Sequence, residues 1–289
     1  NPGPVHLNLP FAKPLWTGQD DAPDAMLSVS RTYRGVPRMS DAARTLLQEA
    51  LEGSQRGVIL AGPTELSPSD TPRPDALGAL RRAVSSLSTK RALPVLAEPG
   101  SLLRHADVGH GVSHTELLLR AHPLRSALTP DLIIQLGGYP TSKGTQRWLR
   151  TSGARVIQIN PVGRWYDPDH VVDAVIAADP AEALGAVASL VEEASSDAER
   201  WASQWRRLAQ EVTKVVDRAM ENDKLWSGQT ARLLCRALPE QSCIHIASSL
   251  AVRVVNTCGG ALNEGVDVTA NRGVNGIDGT IATWMGQVQ

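Results

Sequence analysis

Cysteine is scarce in this chain. Cys235, Cys243 and Cys258 are an odd set near one end with no C-x-x-C pair, which argues against a disulfide framework or a cysteine-based zinc site and fits a reducing cytoplasm. Charge of one sign is also lacking: 29 Lys+Arg stand against 30 Asp+Glu, a formal net charge of -1, so no bulk field draws in nucleic acid or an anionic membrane. Any charged partner has to be held by local groups. No stretch approaches the roughly 18 uncharged apolar residues of a membrane-spanning helix, and there is no internal repeat or low-complexity tract. What remains is an ordinary globular composition, 42% hydrophobic with 24 Gly and 19 Pro. At roughly 150 residues per domain, 289 residues amount to about two domains' worth of chain.

The chain starts Asn1-Pro2-Gly3-Pro4 with no Met, and Pro4 to Pro10 already reads as a strand; it stops at Gln289 just after a Gly-rich turn and a helix-like Thr280 to Trp284. The expectation is an internal fragment of a longer protein. Between the ends, short apolar runs alternate with amphipathic segments of helical length, the pattern of strand-helix units and a parallel sheet. Candidate strands are Gly57–Ala61, Leu93–Ala97, Asp131–Leu136, Arg155–Asn160 and a weaker Val171–Ile176. Helices are expected over Asp41–Leu51, Pro74–Leu87, Thr141–Thr151 and Pro180–Ala194, with Ser40 or Asp41, the Thr141-Ser142 pair and Asp179 as N-caps. Thr17–Asp24 reads as a linker and Ser67–Pro74 as an exposed loop. A long charged helix, Ala198–Lys224, carries Trp201, Trp205 and Leu208 at helical spacing, which suits a connecting helix packed by its indoles. Beyond it a new unit begins with helix Ser227–Ala237, strand Cys243–Ala247 and a second strand Val266–Thr269.

Two segments of this last unit carry chemistry. In Ile246-Ala247-Ser248-Ser249-Leu250-Ala251-Val252-Arg253 a strand ends in two serines at the start of a helix, where hydroxyls and free N–H groups can meet a phosphate or carboxylate; Arg253 returns to the same helical face as Ser249. Plain N-capping explains such serines equally well. In Thr269-Ala270-Asn271-Arg272-Gly273-Val274-Asn275-Gly276-Ile277-Asp278-Gly279, three glycines lie within seven residues between a strand and a helix. They allow positive φ angles and close backbone approach to a ligand, or simply a tight crossover turn. His105, Asp107, His110 and His114 have suggestive spacing, yet with glycines interrupting any helix they read as a loop at the sheet's edge and not as a metal site. Arg31, Arg34 and Arg38 suit an anion patch or a solvated surface.

The block Ala270 to Thr280, preceded by Ser249 to Arg253, resembles the start of the diphosphate-side domain of the menaquinone-pathway 2-succinyl-5-enolpyruvyl-6-hydroxy-3-cyclohexene-1-carboxylate (SEPHCHC) synthases, a thiamine diphosphate-dependent family. Gly3 to Phe11 with Lys13-Pro14-Leu15 resembles the last strand of that family's pyrimidine-side domain. Gln135-Leu136-Gly137-Gly138 through Lys143 to Trp148, then Gly163-Arg164 to Asp167-Pro168, resembles its middle domain. Acetohydroxyacid synthases share the opening Gly-Pro-Val strand but differ at the Asn-Arg-Gly-x-x-Gly-Ile-Asp-Gly block.

The resemblance implies an α/β fold: a Rossmann-like parallel sheet with flanking helices, plus partial flanking α/β cofactor-binding domains. The implied division is 1–16 as the end of the pyrimidine-side domain, 17–195 as the central domain, 196–224 as a connecting helix and 225–289 as the start of the diphosphate-side domain. It implies that Lys143, Arg253 and Arg272 contact substrate carboxylates, and that Ser248, Ser249, Gly276 and Ile277 contact the cofactor, with Ile277 supporting its bent conformation. Ser248 stands where the family commonly has Asn, which leaves its role open. The implied substrates are 2-oxoglutarate and isochorismate, both dicarboxylates, which three fixed cations would suit. The implied cofactors are thiamine diphosphate and Mg2+ or Mn2+, with the metal motif and the activating Glu expected outside this chain. No catalytic residue is assigned within it, and the chain alone is expected to be inactive. The complete protein is expected to be a cytoplasmic homo-oligomer that neither binds nucleic acid nor spans a membrane. The alternatives are a non-catalytic Rossmann-like ligand-binding module, or the middle region of another thiamine diphosphate enzyme such as an acetohydroxyacid synthase.

Overall fold

A computed structural model describes residues 37–64, 76–104, 108–221, 225–263, 265–271 and 278–287. The expected strand at Pro4–Pro10, the linker and loop segments, Arg31, Arg34, His105, Asp107, Arg272, Gly276 and Ile277 lie outside these residues. In chain order the elements begin with α1 (Asp41–Gly53), β1 (Gly57–Ala61), α2 (Ala76–Arg91), β2 (Pro94–Ala97) and β3 (His110–Gly111). They continue with α3 (Thr115–Arg120), α4 (His122–Ala127), β4 (Leu132–Leu136), α5 (Lys143–Thr151), β5 (Arg155–Asn160), β6 (Ala174–Ala177), α6 (Pro180–Ala188) and α7 (Ser196–Ala219). A second unit holds α8 (Ser227–Ala237), β7 (Cys243–Ile246), α9 (Leu250–Val254), a π-helical turn (Val255–Gly259), β8 (Asp267–Ala270) and α10 (Thr280–Gln287).

The first six strands form one parallel sheet in the order β3-β2-β1-β4-β5-β6, the Rossmann arrangement. Its central strands are apolar at nearly every position because helices cover both faces. Ile59, Ile134 and Ile157 point to one face, where Leu47 and Leu51 of α1, Val84 and Leu87 of α2, and Leu184 and Val187 of α6 pack. Val58, Ile133 and Val156 point to the other, under Leu118 of α3, Trp148 of α5, and Trp201 and Trp205 of α7. The two indoles expected on the long helix are therefore core. Trp205 lies edge-on to both Trp148 and Trp201, at centroid distances of 6.1 and 5.8 Å. Trp201 Nε1 donates to Gly57 O and Trp148 Nε1 to Leu128 O, whereas Trp205 Nε1 is buried without a partner among the described residues.

The expected helices and strands form with shifted ends, and each shift has a local cause. The fifth strand starts at Ala174 because the Asp167 carboxylate takes the amides of Val171 and Val172, both at 2.9 Å, before they can enter the ladder. Helix α6 ends at Ala188 because Lys90 and Arg91, at the end of α2, donate to the carbonyls of Ala188, Glu192 and Glu193. Ser40, Ser142, Asp179 and Ser195 cap α1, α5, α6 and α7. Edge strand β3 and helices α3 and α4 were not expected; His110 does lie at the sheet's edge. Among the described residues no helix is long and apolar enough to cross a membrane.

The second unit is small, with β7 and β8 forming a two-stranded parallel sheet. It is fastened to the first unit by buried polar contacts to its π-helical turn. Arg104, 7% exposed, donates from Nε to Gly260 O at 2.7 Å, from Nη1 to Asn256 Oδ1 at 2.7 Å and from Nη2 to Asn256 O at 2.9 Å. Burial lowers its pKa to about 10. Arg232 of α8 donates to Gly259 O at 3.0 Å and pairs with Asp217 of α7 at 2.8 Å. Gly260 has φ +81°, and a Cβ there would fall 1.8 Å from Arg232 Nη1, so both the backbone and the space require glycine. His114, 1% exposed, donates from Nδ1 to Thr257 O at 2.8 Å, while its Nε2 is buried without a partner among the described residues.

Two predictions follow from this packing. Trp205→Ala removes a buried indole and lowers unfolding free energy by about 3–5 kcal/mol, whereas Trp205→Phe, which also removes an unpartnered N–H, costs much less; chemical denaturation measures both. Burial depresses the His114 pKa from 6.5 to about 4, against the opposing pull of the Thr257 carbonyl. The unfolded chain thus takes up a proton that the folded chain refuses. Stability from this group is fully present above pH 6.5 and is lost as pH falls toward 4, by up to about 3 kcal/mol. Denaturation midpoints from pH 7 to 4 should show this slope, and His114→Asn, which tolerates the φ of +57° there, should flatten it.

Candidate functional site

Open parallel sheets of this order bind ligands where the strand order reverses, here between β1 and β4. Among the described residues that crevice is filled. Gly62 N donates to Leu136 O and Gly138 N to Pro63 O, and the space left beside Thr64, Gly137, Asn160 and Tyr166 is about 10 Å³. The larger opening lies to one side, between the loop after β4 and the second unit.

That opening is a cavity of about 370 Å³. The first unit contributes Glu116, Arg120, Ser142 and Lys143, and the second contributes Arg253, Asn256 and Thr257. Two of the three substrate-binding cations expected from sequence, Lys143 and Arg253, thus share one wall-to-wall space although they are 110 residues apart in the chain. Arg253 is exposed and donates from Nη1 to the backbone carbonyl of Ser249, the residue before α9, at 2.9 Å. Arg272, the third cation, lies outside the described residues.

Lys143 is an exposed residue set between buried ones. Ser142 caps α5 by accepting from Thr145 N at 3.2 Å, and its hydroxyl donates to Glu116 Oε2. The same Glu116 oxygen accepts from Gly144 N at 2.9 Å, and Glu116 Oε1 pairs with Arg120 at 2.7 Å. Glu98, at the end of β2 and 4% exposed, accepts from Thr141 N at 2.6 Å and Ser142 N at 2.8 Å. Burial raises the Glu98 pKa, and those two amides pull it back. The amides on both sides of Lys143 are therefore held by two carboxylates. A Cβ at position 144 would meet Glu116 Oε2 at 2.8 Å, so Gly144 lets the carboxylate reach the helix end.

The serine turn divides its two members. Ser248, 3% exposed, turns inward and donates to Asn271 O at the end of β8, so its hydroxyl is engaged within the chain. Ser249 is exposed, with φ +68° and no side-chain capping bond to α9. Asn271 directly follows β8, as its position in the sequence predicts, and its Nδ2 donates to Thr283 Oγ1 at 3.1 Å. Gly276 and Ile277 lie outside the described residues. Among the described residues no group of His, Cys, Asp and Glu is placed to hold a metal ion.

Glu98, Glu116, Arg120, Asn256 and Thr257 were not singled out from sequence. Glu98 reads there as part of a strand-end turn, and its only signal is a carboxylate directly after an apolar strand. Glu116 and Arg120 carry an i, i+4 charge pattern that reads as a solvated helix face; only the fold shows that Glu116 is buried.

No family model matches the chain. Many curated proteins do match it over nearly its whole length. A Nostoc sp. protein named 2-succinyl-5-enolpyruvyl-6-hydroxy-3-cyclohexene-1-carboxylate synthase is 33% identical over 296 residues, covering 99% of this chain and 49% of that protein. Proteins of the same name from Trichormus variabilis and Halorubrum lacusprofundi are 32% and 29% identical, each over 99% of this chain and 49% and 50% of their own lengths. The chain spans about half the length of the curated relatives it matches.

Proposed function

We propose that this chain is the middle region of a SEPHCHC synthase, a carboligase in which 2-oxoglutarate loses carbon dioxide and its remaining four carbons are joined to isochorismate. The observation that carries this reading is the cavity shared by Lys143 and Arg253, taken with likeness to proteins of that name across 99% of the chain. Lys143 and Arg253 each offer a fixed positive charge to a carboxylate, and the guanidinium adds bidentate geometry. Asn256, whose Oδ1 is held by Arg104, and Thr257, whose hydroxyl donates to Arg253 O, line the same wall one turn on. The resemblance assigns Arg272, outside the described residues, as a further carboxylate contact.

The donor set fits an anionic cofactor as well as anionic substrates. Ser249 is an exposed residue at a strand-to-helix junction, and its backbone carbonyl accepts from the guanidinium of Arg253. Ser248, Ser249, Gly276 and Ile277 are the residues that the resemblance assigns to thiamine diphosphate, and the Ser248 hydroxyl donates to Asn271 O. When bound, thiamine diphosphate supplies the nucleophilic carbon and the electron sink for decarboxylation. The chain's own task is to hold carboxylates and keep them oriented. Mg2+ or Mn2+ is assigned to no described residue.

In this reading 1–16 closes the pyrimidine-side domain, 17–195 is the central domain, 196–224 connects, and 225–289 opens the diphosphate-side domain of a cytoplasmic homo-oligomer. The filled β1/β4 crevice leaves a free-standing nucleotide-binding module no room among the described residues at the place where such a fold binds its ligand.

The complete protein, assayed with isochorismate and 2-oxoglutarate, should release carbon dioxide and form SEPHCHC; turnover of two pyruvates alone would overturn the assignment. Lys143→Ala and Arg253→Ala should each raise KM for a dicarboxylate substrate by about 10- to 100-fold. Arg253→Lys should recover only part of the loss, because it keeps the charge without the fork.

A further inference from the structure

We propose that Glu116 is a positioning residue for Lys143, setting the place from which the Lys143 ammonium faces Arg253 across the cavity. The inference rests on the reading that this cavity takes a dicarboxylate, and it assigns a role to a carboxylate that has no evident place in a site for anions.

A lysine in the first turn of a helix sits against the positive end of the helix dipole and is disfavoured there. Here the cost is offset by two buried carboxylates. Glu98 accepts from the amides of residues 141 and 142, and Glu116 accepts from the amide of residue 144 and from the Ser142 hydroxyl. Every one of these bonds goes to the backbone or to the cap of α5, so the carboxylates fix the main chain on both sides of Lys143 and leave its side chain in the opening. Glu116 also pairs with Arg120 at 2.7 Å, which cancels one positive charge of the lining and leaves Lys143 and Arg253 as the cations available to a ligand. A surface carboxylate would be screened and mobile. Glu116 is 5% exposed and holds both of its oxygens in use.

The test uses the full chain and reads Lys143 directly. There are only five lysines, Lys13, Lys90, Lys143, Lys214 and Lys224, so reductive 13C-methylation gives a sparse NMR spectrum in which Lys143→Arg assigns the resonance. Glu116→Ala should shift and broaden the Lys143 signal while the Lys90 and Lys214 signals stay in place. Glu116→Gln keeps the shape and one acceptor oxygen, so it should give a smaller change in the same direction and serves if the alanine variant fails to fold. An unchanged Lys143 signal in folded Glu116→Gln and Glu116→Ala would overturn the proposal.

The second readout is affinity for 2-oxoglutarate. Glu116→Ala should weaken it about tenfold, and the same substitution in a Lys143→Ala background should add almost nothing, because the effect travels through the lysine. Full additivity of the two losses would show that Glu116 acts on general structure, and would overturn the role. If the unaltered protein does not bind 2-oxoglutarate, the dicarboxylate reading fails, and the NMR shift still decides whether Glu116 positions Lys143.

Discussion

The site depends on one buried guanidinium. Arg104 leaves the first unit and enters the second, where it bonds two backbone carbonyls and one side-chain carbonyl of the π-helical turn. A buried cation is costly to desolvate, and this one is tolerated because its donors find fixed carbonyl partners. The end of the helix makes that possible, because the last carbonyls of a helix have no intrahelical amide to serve. Here Arg104, His114 and Arg232 take the carbonyls of residues 256, 257, 259 and 260. Arg253 lies just before this turn, so the contacts that dock the turn also set where Arg253 stands relative to Lys143.

A second constraint acts at the other wall of the cavity. The sheet has the strand order that in many proteins opens a ligand crevice at its reversal point, yet among the described residues Gly62 and Pro63 after β1 bond to Leu136 and Gly138 and leave little space there. The helix end that remains available, that of α5, is occupied by the protein's own carboxylates. A helix N-terminus commonly draws anions through its free amides. In this chain the amides of residues 141, 142, 144 and 145 are already engaged, and the attraction for an anion passes to the lysine that projects between them. Backbone recognition gives way to side-chain recognition at the edge of the fold.

The sheet was legible in the sequence because β1, β4 and β5 are short apolar runs with helical segments between them, and burial on both faces demands such runs. The ends of β6 and α6 were not legible. They are decided by the Asp167 carboxylate and by Lys90 and Arg91, whose partners are fixed by the fold and not by periodicity. Lys143, Arg253 and Ser249 were found through likeness to a family motif, and the fold brings the first two to one cavity. Glu116 and Glu98 escaped notice because an acidic residue in sequence reads as surface; their burial is a property of α3 and β2 packed against α5. Ser248 and Ser249 are alike in sequence, and only the fold shows that the first is buried with its hydroxyl on Asn271 O while the second is exposed with a positive φ.

The small second unit explains why docking and site geometry are inseparable. A two-stranded sheet is marginal on its own, and the apolar cluster that β7 and β8 share with α8 and the π-helical turn is far smaller than either face of the main sheet. Leu233, Leu234, Leu250, Ile281 and Trp284 remain on its surface and add nothing to that cluster. The order of this unit must therefore come largely from what it is fastened to: Arg104 and His114 at the turn, Asp217 through Arg232, and Arg81 paired with Asp267 at 2.8 Å. All four fastenings are polar and directional, so they specify an orientation where apolar packing alone would permit sliding. The near-neutral charge of the whole chain belongs to the same logic. The cations that shape the described site work singly: Arg104 and Arg232 hold carbonyls, Arg81 and Arg120 hold carboxylates, and Lys143 and Arg253 face the cavity.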